Sequence, residues 1–535
     1  MKQFLLLAIA VLGLSSCAEK MSGSDSSDTK EEFEKSYISV ILKTDDASTR
    51  ASDNYEFEEG EAHENHIENI HFFLFKSDGS AFPVNGVSGR NYRSVTVEGS
   101  SNEETDSQIL SFNNPKGEYP GYIVAVLNWD ARNLQPSYTL DNLYNAVAPV
   151  RNSNNHFVMS NSIYADMQGN VVKATSLMPE NICKSEEEAE EKPVKIYVER
   201  ISAKVEVVAK GDVAGKTATY DTGESINGQP VHVKVLKWEL YNNYNHSIVL
   251  KHIYPETWGM TDEIGFLWND PNRFRSYWAG SYTGNFPTDN SFNWEDNGLI
   301  PGTDVAYCGE NTRQIVVDAD GKVTSDPRAK VVIKAQLVDA DDKPLEAVIW
   351  QAHSYIGEQS ILNEVAEKLS DKIFKKEGGE YIGISGEDLK VVEGADAPAG
   401  SGVEIYEVFF QLADISSVED WYIYTSADGY KKATADAING ELLDVEPALL
   451  YRNGMTYYYT DIKHSGSAGS DSEFGVVRNH IYRVNITDIS GLGTAVTDPE
   501  GEIEVPEHPE EAETFVSAEI RILSWKVVKN DYSVN

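Results

Sequence analysis

Apolar and polar residues alternate along most of the chain, in short runs separated by turns rich in Gly, Asp and Asn. A period of two indicates half-buried β-strands, because successive side chains of a strand point to opposite faces. Such runs predict strands at 37–43, 66–76, 94–98, 122–127, 231–241, 313–317, 329–338, 346–351, 404–412, 421–424, 454–461 and 480–487. The chain is therefore predicted to be mainly β.

Helical spacing of apolar residues is rare. Leu140, Leu143 and Val147 predict one short helix, and residues 360–369 predict a second, amphipathic one. The acidic run 186–191 is interpreted as a solvated loop. Because no period of 20–50 residues repeats, paired β-sandwiches with brief helices are favoured over solenoids and propellers.

The two ends of the chain carry isolated strand patterns. Near the start, Ile38, Val40 and Leu42 share one face of a strand, and a polar stretch containing Arg50 follows. Near the end, the acidic, proline-containing residues 498–513 indicate an extended linker. A last strand pattern lies beyond this linker, with Ile520 and Ile522 on one face and Leu523, Trp525 and Val527 near the other. Such a strand either folds back or pairs with another chain.

Between the ends, residues 194–208 predict one long strand or a strand pair, with a bulge near Glu199 and Arg200. The Gly- and Thr-rich stretch that follows places a domain boundary near Gly211. We therefore predict a signal peptide at 1–17, a tether and first strand at 18–50, domains at 51–210 and 211–497, and a linker with a final strand at 498–535.

The leader changes the expected location of the protein. A short basic start and an apolar run of signal-peptide length end at Leu14-Ser15-Ser16-Cys17, a lipobox in which the Cys17 thiol becomes acylated. Ordinary signal cleavage beside an incidental cysteine is the alternative. Several acyl chains on one residue hold a protein at a membrane.

Composition excludes some partners. The 535 residues carry a formal net charge of −41, which repels nucleic acid and anionic lipid. Three cysteines are too few for a disulfide framework. With Cys17 assigned to lipid, the sequence leaves two states open for Cys183 and Cys308, a disulfide or two free thiols.

Candidate chemistry is sparse, and no cofactor or catalytic residue is predicted. The pair His63 and His66 favours a solvated loop over a metal site, and Asp318 begins a hairpin turn because the calcium-loop pattern fails after it. The tryptophans of 257–294 are compatible with carbohydrate stacking, although packing of long loops is the simpler interpretation.

Several short motifs, in order, resemble the minor (short) fimbrillin family of Bacteroidetes. They are the lipobox, the segment Arg50-Ala51-Ser-Asp-Asn54, Phe157–Ser160, Val198–Val205, Tyr277–Ala279, Tyr307–Thr312, Arg478–Ile486 and Ile522–Trp525. The resemblance spans nearly the whole chain.

This resemblance implies two transthyretin-like, Greek-key β-sandwich domains with short helices and a C-terminal donor strand. It also implies a precursor lipidated at Cys17, carried to the outer membrane and cut between Arg50 and Ala51 by a trypsin-like protease. The cut removes the strand of Ile38, Val40 and Leu42, and a neighbouring subunit's C-terminal strand fills the groove. Expected partners are copies of the chain, other fimbrial subunits and the protease, with an extracellular fimbrium as the final location.

Having both a removable strand and a donor strand favours a shaft subunit over a tip or anchor subunit. Two other classes stay open at this point, a carbohydrate-binding surface lipoprotein and a secreted hydrolase. The first requires glycan affinity at the tryptophan stretch, and the second requires an acid/base or metal site.

Overall fold

The computed structural model describes residues 33–43, 57–84, 89–97, 108–161, 164–165, 171–213, 215–252, 298–413, 420–464, 473–500 and 515–526. The predicted signal peptide, lipobox, Arg50, Ala51, Val527 and the tryptophan stretch therefore lie outside the described residues. Among the residues described, no helix is long and apolar enough to cross a membrane.

The described chain is mainly β, as predicted. Its first strands are β1 (Phe33–Lys43), β2 (Phe57–Glu59), β3 (Asn69–Phe75), β4 (Tyr92–Thr96), β5 (Gln108–Pro115), β6 (Tyr122–Leu127), β7 (Val147–Pro149), β8 (Met159–Asn161), β9 (Tyr164–Ala165), β10 (Val171–Val172), β11 (Thr175–Ser176), β12 (Val194–Arg200), β13 (Ala203–Ala209), β14 (Asp212–Val213), β15 (Lys216–Thr217), β16 (Thr219–Ile226), β17 (Gln229–Tyr241) and β18 (His246–Ile248).

The later strands are β19 (Val305–Cys308), β20 (Val316–Val317), β21 (Val323–Ser325), β22 (Lys330–Val338), β23 (Ala347–Trp350), β24 (His353–Ile356), β25 (Ile373–Glu377), β26 (Glu380–Gly383), β27 (Leu389–Glu393), β28 (Val408–Leu412), β29 (Asp420–Thr425), β30 (Gly429–Ala433), β31 (Leu449–Tyr451), β32 (Met455–Asp461), β33 (His480–Ser490), β34 (Thr494–Ala495) and β35 (Phe515–Lys526). The helices described are α1 (Leu140–Tyr144), α2 (Glu186–Glu190), α3 (Glu358–Leu369) and α4 (Ala435–Leu443).

Eight of the strands between residues 33 and 200 form one sheet in the order β4-β3-β6-β8-β12-β1-β5, with β11 paired to β6. Strands β3 and β5 are far apart in the strand order, but their side chains belong to one apolar cluster. The sheet is therefore curled. At the place where the layers meet, the Asn113 amide donates to the Val84 carbonyl at 3.0 Å.

Two further sheets pack face to face in the second part. One is the five-stranded sheet β19-β13-β33-β35-β2, and the other is the seven-stranded sheet β15-β14-β16-β17-β22-β32-β34. Val207 and Val484 from the first sheet meet Trp238 and Ile333 from the second in one fully buried cluster. This arrangement is a β-sandwich with an apolar centre.

Residues 345–450 add a separate layer. The helix predicted at 360–369 is its helix α3, and the strands predicted at 346–351, 404–412 and 421–424 correspond to β23, β28 and β29, but the sequence did not indicate that they form a layer of their own. Helices α3 and α4, the hairpin β27-β28 and the four-stranded sheet β26-β25-β29-β30 enclose an apolar cluster of their own. The two helices contribute four fully buried side chains to this cluster, Ile361, Val365, Ile438 and Leu442. Helix α4 was missed because only two apolar residues four positions apart mark its inner face.

Three local predictions were wrong. The acidic run at 186–191 is helix α2 and not a loop, because the Ser185 side chain caps its first turn and the three leading glutamates suit the positive end of a helix. The strand predicted at 313–317 shortens to β20. The strand predicted at 404–412 begins only at Val408, because the Glu407 amide donates to the Glu404 carbonyl in a turn.

The predicted strand or strand pair at 194–208 is a pair. Strand β12 belongs to the eight-stranded sheet and β13 to the five-stranded sheet, and Ile201 and Ser202 join them. Apolar packing changes from one cluster to the next across this joint. The domain boundary near Gly211 stays a prediction.

Candidate functional site

Strand β1 lies inside the eight-stranded sheet and not at its edge. It pairs in parallel with β12, where Val40 is opposite Val194, and antiparallel with β5 along eight residue pairs from Phe33 to Val40. Backbone groups on both edges of β1 therefore have partners, on the β5 side from Phe33 to Val40 and on the β12 side from Val40 to Lys43. Removing this strand would leave the paired edges of β5 and β12 without partners.

One side-chain face of β1 contributes to the core. Ile38 and Val40 are fully buried and Leu42 is 4% exposed. All three belong to the apolar cluster that also contains Phe72, Phe112 and Ile196. The gap left by β1 would thus be a groove with an apolar floor.

The segment that leads into α2 pairs with one edge of β1 at Tyr37. Tyr37 and Cys183 form a two-way backbone bridge, with both N–H···O distances at 2.9 Å. The Cys183 side chain is 2% exposed. Burial is the main cause that raises the pKa of its thiol. Loss of β1 would remove the backbone partner of this cysteine.

Few polar contacts hold the start of β1. The Glu34 carboxylate accepts from the Gly117 amide at 3.1 Å and from the Asn114 side chain at 3.3 Å. The Gly117 hydrogen bond is the main cause that lowers the pKa of Glu34, followed by the Tyr119 hydroxyl. The Ser36 hydroxyl donates to Asn114 at 2.8 Å.

The C-terminal strand β35 folds back onto its own chain. It runs antiparallel to β33 from the pair Ser490 and Phe515 to the pair His480 and Ser524. Its other edge pairs in parallel with the three residues of β2, where Phe57 is opposite Ser524. Of the two arrangements that the sequence left open for the last strand, the isolated chain adopts the first.

The chain is anchored just after β2. Buried Glu64 lies 3.2 Å from the Lys204 ammonium and accepts from the Tyr307 hydroxyl, and the neighbouring Asn65 accepts from fully buried Arg200. Burial acts to raise the pKa of Glu64, but the Tyr307 hydrogen bond, the Glu61 amide and the two cations outweigh it and lower the pKa. Burial lowers the pKa of Arg200 to about 10.

A second buried ion pair joins residues from two of the motifs, 307–312 and 478–486. Fully buried Arg478 contacts the Glu310 carboxylate at 2.5 Å and donates to the carbonyls of Ile248 and Val249. Three motifs, at 198–205, 307–312 and 478–486, therefore supply Arg200, Lys204, Glu310 and Arg478 to the joint between the sheets, while Glu64 comes from outside them. The sequence showed these motifs, but it did not reveal that their charges are buried together.

The candidate cleavage site cannot be compared directly with the structure, since Arg50 and Ala51 lie outside the described residues. The next two arginines along the chain, Arg90 and Arg93, both contact other groups. Arg93 donates to the Ser111 carbonyl through Nε and Nη2, and Arg90 lies over the Tyr92 ring with a guanidinium carbon to centroid distance of 5.0 Å. A cut at either would also separate β3, whose residues from Ile70 to Phe75 are buried.

The remaining candidates carry no reactive arrangement. Cys183 and Cys308 are buried free thiols and do not form a disulfide, and only Cys308 belongs to the apolar cluster of the sandwich. The rings of His66 and His156 lie with centroids 4.0 Å apart and planes tilted by 37°, and Asp318 starts a hairpin turn as predicted. Across the described ranges, no group of three or more His, Cys, Asp or Glu side chains could hold a metal ion.

Solved structures with a similar arrangement include three bacterial proteins. They are the tip fimbrial protein Mfa3 of Porphyromonas gingivalis with a C-terminal truncation (11% identity, 92% of this chain and 100% of that chain, TM-score 0.31), the fimbrilin FimA of P. gingivalis W83 (12%, 92% and 98%, 0.35) and a fimbrial assembly protein of Parabacteroides distasonis (12%, 75% and 100%, 0.28). At these scores the similarity defines neither fold nor function.

No curated protein sequence matches the chain. A family model does match residues 449–531, and its description is major fimbrial subunit protein type IV, fimbrillin, C-terminal. The matched region begins at β31 and includes β33 and the whole of β35. By this match, residues 449–531 are similar to the C-terminal region of the fimbrillin family.

Proposed function

We propose that the chain is a structural shaft subunit of cell-surface fimbriae that polymerises by donor-strand exchange. In this proposal Cys17 carries the lipid of an outer-membrane precursor, and a trypsin-like protease cuts between Arg50 and Ala51. Strand β1 then leaves, and the C-terminal strand of a neighbouring subunit takes its place in the extracellular fimbrium. The observation that carries the proposal is the position of β1, which is buried between two strands and joined to the rest through the stretch that contains Arg50.

The energetics favour a replacement strand once β1 has gone. Exposing the three inner side chains of β1 costs roughly 4–9 kcal/mol at about 1.5–3 kcal/mol each. The unpaired edges of β12 and β5 add to this cost, because they present backbone donors and acceptors that need partners. An extended segment with alternating apolar residues satisfies both requirements at once.

The C-terminal strand has the sequence that such a groove requires. Ile520 and Ile522 alternate with polar residues, and Leu523, Trp525 and Val527 provide apolar groups near the other face. The acidic linker before it gives reach to another subunit. Because each subunit would accept at one end and donate at the other, the contact is head-to-tail and extends into a fibre without closing.

The anchor at Glu64 and Asn65 defines how much chain leaves. Residues from Glu61 onward are tied to Arg200, Lys204 and Tyr307, so cleavage at Arg50 releases β1 without loosening β3. A tip subunit would lack a usable donor strand, and an anchor subunit would keep its first strand. The presence of both features favours the shaft role.

The test uses a precursor without the leader, residues 18–535, and limited trypsin digestion. We expect a monomer before digestion and a ladder of polymers on a native gel afterwards, with the new N-terminus at Ala51 by mass spectrometry. The Arg50→Ala precursor and the chain cleaved but lacking residues 515–535 should both stay monomeric. Polymers from the truncated chain would contradict donor-strand exchange, and polymers from Arg50→Ala would place the cut elsewhere.

A further inference from the structure

The outer face of the four-stranded sheet β26-β25-β29-β30 carries a cluster of aromatic rings, here called the tyrosine face. Cross-strand register places its members on one side of the sheet, since Phe374 is opposite Tyr422 and Tyr424 is opposite Tyr430. Tyr381 shares that side, because its partner Lys376 is two residues from Phe374. The tyrosine face is Phe374, Tyr381, Tyr422, Tyr424 and Tyr430.

The opposite side of the same sheet packs against the apolar core of this layer. Ile373 is fully buried there, and Trp421 and Ile423 pack against the cluster formed by α3 and α4. The tyrosine face is thus not core. Tyr381, Tyr424 and Tyr430 are 39%, 40% and 41% exposed, which groups three exposed aromatic side chains of the described chain on one small sheet.

The rings hold one another in fixed positions. Tyr381 and Tyr430 stack with centroids 4.0 Å apart and ring planes 3° apart, while Tyr422 meets Tyr381 edge-on at 4.9 Å. Phe374 meets Tyr430 edge-on at 4.9 Å. Because the rings are already ordered before a ligand binds, little side-chain entropy is lost on binding.

The charge of the face selects the class of ligand. Lys432 and Asp420, which lie on the same side, pair with each other, and Lys376 lies 5.5 Å from the Tyr381 ring centroid. The face is therefore close to neutral in a chain with net charge −41. Nucleic acid bases also stack on aromatic rings, but their phosphates are repelled by such a chain, and Lys376 disfavours a cationic guest.

The size of the face argues against a stable protein partner. Four strands of about five residues cover roughly 14 Å by 17 Å, from spacings of about 4.8 Å and 3.4 Å. That is far less than the ~800 Å² that each partner buries in a standard protein interface. It suits a few sugar rings, whose C–H faces pack on the negative faces of aromatic rings while tyrosine hydroxyls reach sugar hydroxyls.

We propose that the tyrosine face is a carbohydrate-binding surface for oligosaccharides that stack on its exposed rings without requiring a charge. It lies in a different part of the chain from the tryptophan stretch considered from sequence. The inference does not depend on polymerisation, because the face belongs to the monomer and lies away from β1 in the sheet order.

The test uses the uncleaved, leader-free precursor on an array of neutral and acidic oligosaccharides, followed by calorimetric titration with the best-bound sugar. We expect binding that falls at least tenfold in Tyr381→Ala and in Tyr430→Ala. Tyr430→Phe, which keeps the ring, should retain more affinity than Tyr430→Ala. Tyr406→Ala is the matched control, because Tyr406 is 37% exposed in the same layer but outside the face.

Thermal unfolding of each variant establishes that the layer remains folded, and Tyr424→Ser replaces any variant that does not fold. Absence of binding across the array overturns the proposal. So does binding that survives the alanine variants, or binding lost equally in Tyr406→Ala. A protein complex that forms through the face in place of sugar binding overturns it too. None of these results bears on strand exchange, since no cleavage is involved.

Discussion

Buried charged residues, each with a partner, stabilise the joint between the eight-stranded and the five-stranded sheet. Arg478 and Glu310 are fully out of water, and the cost of desolvating them is offset only while each has its partner. The same holds for Arg200, which reaches Glu64 and Asn65 from the end of β12. Arg478, Glu310 and Arg200 belong to the short motifs named in the sequence, and their structural role accounts for the charged residue types found there.

The buried pair gives a stability prediction. Arg478→Met leaves the Glu310 carboxylate buried without its cation and should lower the free energy of unfolding by about 3–5 kcal/mol. Urea denaturation followed by tryptophan fluorescence measures the change. Lys192→Met is the control, because Lys192 pairs with Glu188 on the surface, and it should leave the midpoint unchanged. Equal effects of the two variants would contradict the role assigned to Arg478.

Buried histidines predict loss of stability in mild acid. Burial, followed by the charges of His480 and Lys251, lowers the pKa of His464 well below its usual value. Burial also lowers the pKa of His71. The unfolded chain therefore binds protons that the folded chain does not, and stability is lost as the pH falls below about 6.5.

Urea midpoints at pH 7.5 and 5.5 measure this effect. His464→Asn keeps a polar partner for the Tyr482 hydroxyl, which lies 2.7 Å from Nδ1, but cannot take up the proton. Its midpoint should fall less between the two pH values than that of the parent chain. His353→Asn, at an exposed position, is the control and should behave as the parent does. An identical drop in His464→Asn would rule out this histidine as the source.

At the scale of elements, sequence periodicity located many strands. The run 122–127 is β6 without change, and 231–241 and 329–338 became β17 and β22 with small shifts at their ends. Alternation reports which face of a strand is buried, but it carries no information about which strand lies next to it. For this reason the insertion of β1 between β12 and β5, and the meeting of five aromatic rings from four short strands, appear only in the structure.

Strand β1 should leave more easily when its buried face is disrupted. Val40→Asp places an unpaired carboxylate in the apolar cluster, so after cleavage at Arg50 the strand peptide should dissociate at least about tenfold faster, since Val40 contributes ~1.5–3 kcal/mol of burial. Size-exclusion chromatography with mass spectrometry follows the released peptide. Lys35→Asp, at an exposed position of the same strand, should release it at the parental rate. Equal rates for both variants would show that the buried face does not retain the strand.

At the scale of the whole molecule, the ends of the chain are the features that a fibre would use. The first strand completes a sheet in the first part, and the last strand completes a sheet in the second part between β33 and β2. The precursor thus satisfies both strands internally. The mainly β class was predicted correctly from sequence, and the resemblance to fimbrillins agrees with the family-model match at 449–531. Within 345–450 helix α3 was predicted, whereas helix α4 and the short strands β25, β26 and β30 were not, because they carry weak periodicity.

Thiol labelling of Cys183 tests the central claim most directly. The leader-free chain has two cysteines, and Cys308, 3% exposed in the apolar cluster of the sandwich, is the internal control. Maleimide should leave Cys183 unreacted in the precursor. It should label Cys183 after cleavage of the chain lacking residues 515–535, and leave it unreacted again in polymers of the complete cleaved chain, with Cys308 protected throughout. A Cys183 that stays protected after cleavage of the truncated chain, or reacts freely in the polymer, would contradict removal and replacement of β1.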